Sequence, residues 1–146
     1  MPAQRNSARI EHMTMPLSTQ RRLLQICISL ASLVPLSAGL AGMVVGSNLL
    51  GEITSISLDS HFRYLSGLLF TLGLGFITAV PRIESHTSRI RILTLLVVVG
   101  GIARLVAALA IGMPSTAMTA AIAMELIITP ALCLWQSHIA KCYTSV

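Results

Sequence analysis

The chain has 146 residues and a formal net charge of +5; 54% of it is hydrophobic and only 10% is charged. A soluble domain carries about 25% charged residues, so an ordinary soluble globule is excluded. Disorder is excluded as well, because disordered chains are polar and charge-rich. A mean hydropathy of +0.81 points to an integral membrane protein, and the length allows about four spans of ~20 residues.

Residues 1–19 are polar and unpatterned, and are expected to be a disordered tail. Met13 and Met15 offer alternative starts just ahead of the first apolar run. That run covers residues 23–47. A cleaved signal peptide is the competing reading, with Arg21-Arg22 as its basic region and Gly39-Leu40-Ala41 as a small-residue cleavage site. The run exceeds the apolar length of a signal peptide and continues past that site, which favours a membrane anchor. Further runs cover residues 62–80, 90–111 and 116–135, with a C-terminal tail at 142–146. None alternates with period two, so helices rather than a barrel are expected. The resulting expectation is an all-α integral membrane four-helix bundle over residues 20–141.

The connections are sharply marked. Gly112-Met113-Pro114-Ser115 is a tight turn: Gly112 suits a helix C-terminus, Pro114 cannot extend the helix, and Ser115 or Thr116 can cap the next. Arg5, Arg9, Arg21, Arg22, Arg82, Arg89, Arg91 and Lys141 all fall on one side if there are four spans. The connection after the first run instead carries Glu52 and Asp59. The positive-inside rule then puts both termini in the cytoplasm. Tyr64 and Trp135 are expected near opposite interfaces. The basic charge is thereby explained by topology and by lipid head groups, without a nucleic-acid partner.

Small residues suggest the packing stripes. The first helix contains Gly39, Gly42 and Gly46, with Gly42 and Gly46 at small-xxx-small spacing; Gly67, Thr71 and Gly75 share a face of the second. Gly100, Arg104 and Ala108 lie on the third, and Ala117 and Ala121 lead to Glu125 on the fourth. Such stripes serve packing within the bundle, or a homo-oligomer. Pro35 and Pro130 should kink or loosen the helix about one turn upstream.

Arg104 and Glu125 are the costly residues. Arg104 lies about nine residues before Met113 and Glu125 about twelve after it, so their depths differ by only ~4–5 Å and the side chains can meet. A lone charge near the bilayer centre costs at least ~2.5–3.5 kcal/mol, which pairing offsets. One reading is a permanent ion pair fixing helix register. The other is a coupling or ligand site in a polar cavity. A second cluster, Asp59, His61 and Arg63, opens the second helix. It reads either as a capped helix start with an i,i+4 pair or, with Glu52, as the mouth of that cavity.

No other chemistry stands out. His12, His61, His86 and His138 are dispersed without metal-ligand spacing, and no cofactor is indicated. Cys27, Cys133 and Cys142 form no C-x-x-C motif and should be free thiols; Cys142 is a candidate for acylation. No nucleotide loop or nucleophile elbow occurs, so an enzyme is the least supported class.

The segments Leu58-Asp59-Ser60-His61-Phe62-Arg63-Tyr64-Leu65-Ser66-Gly67, Ala79-Val80-Pro81-Arg82-Ile83-Glu84 and Gly100-Gly101-Ile102-Ala103-Arg104-Leu105 carry a family resemblance. So do Glu125-Leu126, Pro130 and Leu134-Trp135-Gln136. In this order they resemble the bacterial membrane family known as domain of unknown function 4345, from about Arg21 to Lys141. The resemblance implies a small four-helix protein of the bacterial inner membrane, of no assigned activity, and it includes Asp59, His61, Arg63, Arg104 and Glu125. At the level of fold alone the chain is also similar to DoxX-like bundles. The expected function is a structural or accessory membrane component, alone, as a homo-oligomer or in a larger complex. The alternative is a small oligomeric transporter or channel using Arg63, Arg104 and Glu125.

Overall fold

The computed structural model describes residues 15–51 and 55–144. Among these residues every regular element is helical. Helix α1 covers Leu17–Val45 and passes into a 3₁₀ turn, Gly46–Leu50. Helix α2 covers Ile56–Ile77 and is followed by a 3₁₀ segment, Val80–Ser85. Helix α3 covers Thr87–Ile111. The last helix, α4, covers Thr116–Thr144 and is interrupted by a π turn at Met124–Ile128.

Three of these helices are long and apolar enough to cross a membrane: α1 with its 3₁₀ extension, α3 and α4. Helix α2 is not among them, since Asp59, His61 and Arg63 occupy its first turns. The outer surface is strongly apolar. Ile56 is 91% exposed, Ile111 90% and Leu109 78%. A surface of this kind is expensive in water and inexpensive in lipid, which makes this a membrane protein.

The helices outrun the apolar segments. Helix α1 begins at Leu17, inside the segment expected to be a disordered tail; residues 1–14 of that tail lie outside the described residues. Pro16 accepts the first backbone bonds from Thr19 and Gln20. Leu17 packs on the core, so the first turn is held by tertiary contact. Helix α2 begins before residue 62 because the Ser55 hydroxyl accepts from the Leu58 amide at 3.3 Å. Helix α4 runs to Thr144, past the expected end at 135 and into the expected C-terminal tail, because Gln136, Ile139 and Ala140 are buried.

The two prolines act differently. Helix α1 runs on through Pro35. At Pro130, which cannot donate to the Leu126 carbonyl, α4 widens into its π turn. Both the amide and the hydroxyl of Thr129 turn back to the Met124 carbonyl, the hydroxyl at 3.0 Å.

Helices α1 and α2 form a close pair through small residues. A Cβ on Gly39 would stand 2.5 Å from the Phe70 nitrogen and 2.7 Å from the Ser66 carbonyl oxygen. A Cβ on Gly42 would collide with the Ser66 side chain, and one on Gly73 would reach Leu36 at 2.9 Å. The stripe of α2 in closest contact with α1 is therefore Ser66, Phe70 and Gly73, while on the expected stripe of Gly67, Thr71 and Gly75 a Cβ on Gly67 would meet the Met43 side chain at 3.5 Å. Gly75 instead faces Leu93 of α3. On α3 the packing glycine is Gly101 rather than Gly100, which meets nothing within 4 Å.

The hydrophobic core sits at one end of the molecule. Leu24 and Ile28 of α1, Ile83 of the connection and Ile139 of α4 are its buried members, with Phe76, Val80, Leu132 and Trp135 packed on them. Trp135, expected at an interface, thus contributes to this core. Gln136 is fully buried there; its amide donates to the Ile83 carbonyl at 2.7 Å and to the Thr87 hydroxyl at 3.0 Å.

Candidate functional site

The fold brings the candidate residues into two constellations. The first is at the junction of α1, its 3₁₀ extension and the start of α2. The last carbonyls of a helix have no intrahelical donor and carry the negative end of its dipole. Arg63 supplies the missing donors. Its Nη1 donates to the Met43 carbonyl at 2.6 Å and to the Val44 carbonyl at 3.0 Å, and its Nη2 to the Val45 carbonyl at 3.4 Å. Its Nε donates to Asp59 Oδ2 at 2.8 Å, one turn earlier on α2. The other carboxylate oxygen, Oδ1, accepts from the Ser47 amide at 2.7 Å and the Ser47 hydroxyl at 2.9 Å.

Asp59 and Arg63 therefore clasp α2 to the end of α1. Gly46 makes this possible: its φ is +72°, and a Cβ there would run into both Asp59 and Arg63. His61 stays exposed beside Tyr64, with ring centroids 6.5 Å apart and tilted by 31°. Glu52 lies outside the described residues. Arg63 is aimed at backbone oxygens of α1.

The second constellation lies between α3 and α4. Arg104 Nη1 stands 3.7 Å from Glu125 Oε1 and 3.7 Å from the Met118 sulfur. The pair has the register expected of an antiparallel hairpin. At that distance it is an ion pair without a short hydrogen bond. The Glu125 side chain is 19% exposed and that of Arg104 40%. Glu125 Oε2 is buried and makes no hydrogen bond. Glu125 belongs to the π turn that Pro130 induces, a helix irregularity frequent at functional sites. Gly101 sets the approach: a Cβ on it would lie 2.9 Å from the Glu125 Cβ and from the Leu126 side chain.

A third polar set was not singled out in the sequence. Arg21 Nε donates to Glu84 Oε2 at 2.8 Å, and its Nη2 reaches Glu84 Oε1 at 3.2 Å and the Pro81 carbonyl at 3.0 Å. Gln25 donates to the Val80 carbonyl at 2.9 Å. These partners tie the start of α1 to the α2–α3 connection. Partial burial pushes the Glu84 carboxyl upward, but the Arg21 hydrogen bond and the charges of Arg21 and His86 outweigh it and hold the group below its ordinary value. The signal in the sequence was a lone acid among the cations of the connection.

No group of three or more His, Cys, Asp or Glu side chains able to hold a metal ion occurs among the described residues. Cys27, Cys133 and Cys142 form no disulfide with one another. Cavities at the surface are lined by Glu84, Thr87, Arg91, Ser137 and Lys141, and by Arg22, Gln25, Ile26 and Ser29; neither takes in Arg63, Arg104 or Glu125.

The family model described as Domain of unknown function (DUF4345) matches residues 23–136. Neither a curated protein nor a solved structure matches the chain.

Proposed function

The chain belongs to the DUF4345 family, and from that premise we propose a structural or accessory component of the bacterial inner membrane. In this reading α1 to α4 all span the bilayer as a four-helix bundle. Both termini and the α2–α3 connection face the cytoplasm, as their cations require. Helix α2 spans despite its polar start, because Asp59 and Arg63 satisfy each other and the end of α1 at the outer interface.

The observation that carries this reading is the engagement of Arg63. A guanidinium that donates to three carbonyls of α1 and to Asp59 is a helix clasp, and it has few donors left for a passing solute. Arg21 with Glu84 does the same at the opposite end. The charged residues hold helices together, and the apolar outer faces are left for lipid, a second copy or a larger complex.

A second reading, a small oligomeric transporter or channel, draws on one feature, the buried and unpartnered Glu125 Oε2 beside a long Arg104 contact. The test is to purify the tagged protein from native membranes in mild detergent and identify what comes with it. A stoichiometric membrane partner supports the accessory role. Recovery of the self-oligomer alone counts against it, and solute flux in proteoliposomes that disappears in Glu125→Gln would move the assignment to the transporter.

A further inference from the structure

At the end of the molecule carrying the hydrophobic core, α3 and α4 leave a shallow, open cleft of about 460 Å³ at the surface between them. Its walls include Glu84, Thr87, Arg91, Ser137, Lys141 and Thr144. We propose that this cleft binds the phosphodiester head group of an anionic phospholipid, with Arg91 and Lys141 as its cations. The proposal rests on the membrane reading above.

The charges in the cleft are unevenly matched. Among the described residues its one carboxylate, Glu84, gives both oxygens to Arg21. Arg91 makes one long bond, Nη2 to the Ser137 hydroxyl at 3.5 Å. Lys141 is exposed and makes no hydrogen bond or ion pair among the described residues. Two cations on facing helices are therefore left to a ligand, and Arg offers a fork that suits phosphate oxygens. Thr87, the first residue of α3, also forms part of the wall, so the positive end of the α3 dipole adds to the same field.

The apolar continuation decides between a lipid and a free phosphate. One turn deeper on the Arg91 stripe of α3 is Leu95, 62% exposed, and one turn deeper on the Ser137 stripe of α4 is Leu134, 73% exposed. A head group held in the cleft has its acyl chains directed along these side chains into the hydrocarbon. A basic pocket between helices at the cytoplasmic interface is a recurrent way to bind such lipids.

The test uses the full chain in nanodiscs of phosphatidylcholine with a minor share of phosphatidylglycerol. Lipid retained on the protein is measured by native mass spectrometry. The retained lipid is expected to be enriched in phosphatidylglycerol over the bulk. Arg91→Gln and Lys141→Gln should each lower that enrichment by up to about fivefold. Arg91→Lys should retain most of it, and so should Arg82→Gln, a cation at the same end but outside the cleft. Inorganic phosphate in excess should displace little. No enrichment in the wild type, or enrichment that survives the Arg91→Gln/Lys141→Gln double variant, overturns the proposal. Efficient displacement by inorganic phosphate overturns the lipid as its source. Failure of the chain to remain in carbonate-washed membranes would instead overturn the membrane reading itself.

Discussion

Replacing Gly39 by alanine adds one methyl group at the closest approach of two helix backbones. The new Cβ would lie 2.5 Å from the Phe70 nitrogen and 2.7 Å from the Ser66 carbonyl oxygen, both main-chain atoms that no rotamer change can move. Restoring ordinary contact requires α1 and α2 to part by about 1 Å, a gap that already forfeits a quarter to a half of each lost dispersion contact. Overpacking of this kind costs about 1–3 kcal/mol, or roughly a 5- to 150-fold fall in the folded-to-unfolded ratio. The natural controls are Gly67→Ala, whose Cβ would meet the Met43 side chain no closer than 3.5 Å, and Gly100→Ala, which meets nothing within 4 Å. Both replacements should be neutral or slightly stabilising, because alanine is the better helix former. Helicity followed through a dodecyl sulfate titration in detergent micelles gives all three stabilities. A Gly39→Ala protein as stable as wild type, or a Gly67→Ala protein as weak as Gly39→Ala, would refute the helix pairing described here.

Three further outcomes follow from the polar contacts. Arg104→Leu or Glu125→Leu alone leaves one charge at depth, at a cost of about 2.5–3.5 kcal/mol, and should lower accumulation in the membrane. The double leucine variant should recover it, because matched apolar replacement of an inner ion pair is often neutral; immunoblotting of membrane fractions separates these cases. Asp59→Ala removes the acceptor of the Ser47 amide and the partner of Arg63, so the Ser47 amide should exchange its hydrogen faster by mass spectrometry. Glu84 has a carboxyl held below its ordinary value by Arg21, so its stabilising contribution is complete above the ordinary carboxylate value near ~4.3. It is lost as pH falls through the lower folded-state value. Melting midpoints should therefore fall more steeply with acid in the wild type than in Glu84→Gln.

The sequence made the helical class legible because 54% hydrophobic residues in four aperiodic runs leave the backbone little alternative to helix in lipid. Depth was legible too: counting residues from the turn at Met113 placed Arg104 beside Glu125, since helix rise is a constant. Helix faces were harder to read. Gly100 and Gly101 are adjacent, as are Gly67 and Ser66, and one residue turns a helix by ~100°. Composition cannot say which of two small neighbours meets a partner helix. The role of Arg63 was hidden for another reason. Its acceptors are backbone carbonyls of Met43, Val44 and Val45, and a carbonyl has no residue type to recognise. The helix ends at Leu17 and Thr144 lie in polar sequence and are set by tertiary contacts of Leu17, Gln136 and Ile139.

Helix α2 alone falls short of the composition of a span, yet whether it crosses the bilayer decides the sidedness of everything after it. Substituted-cysteine accessibility measures this directly in a cysteine-free background, with single cysteines at Asn48, Ser85, Met113 and Thr144 and a membrane-impermeant maleimide. With four spans, Asn48→Cys and Met113→Cys are labelled from outside intact cells, and Ser85→Cys and Thr144→Cys only after the inner face is opened. Asn48→Cys and Ser85→Cys reacting from the same side would contradict that count.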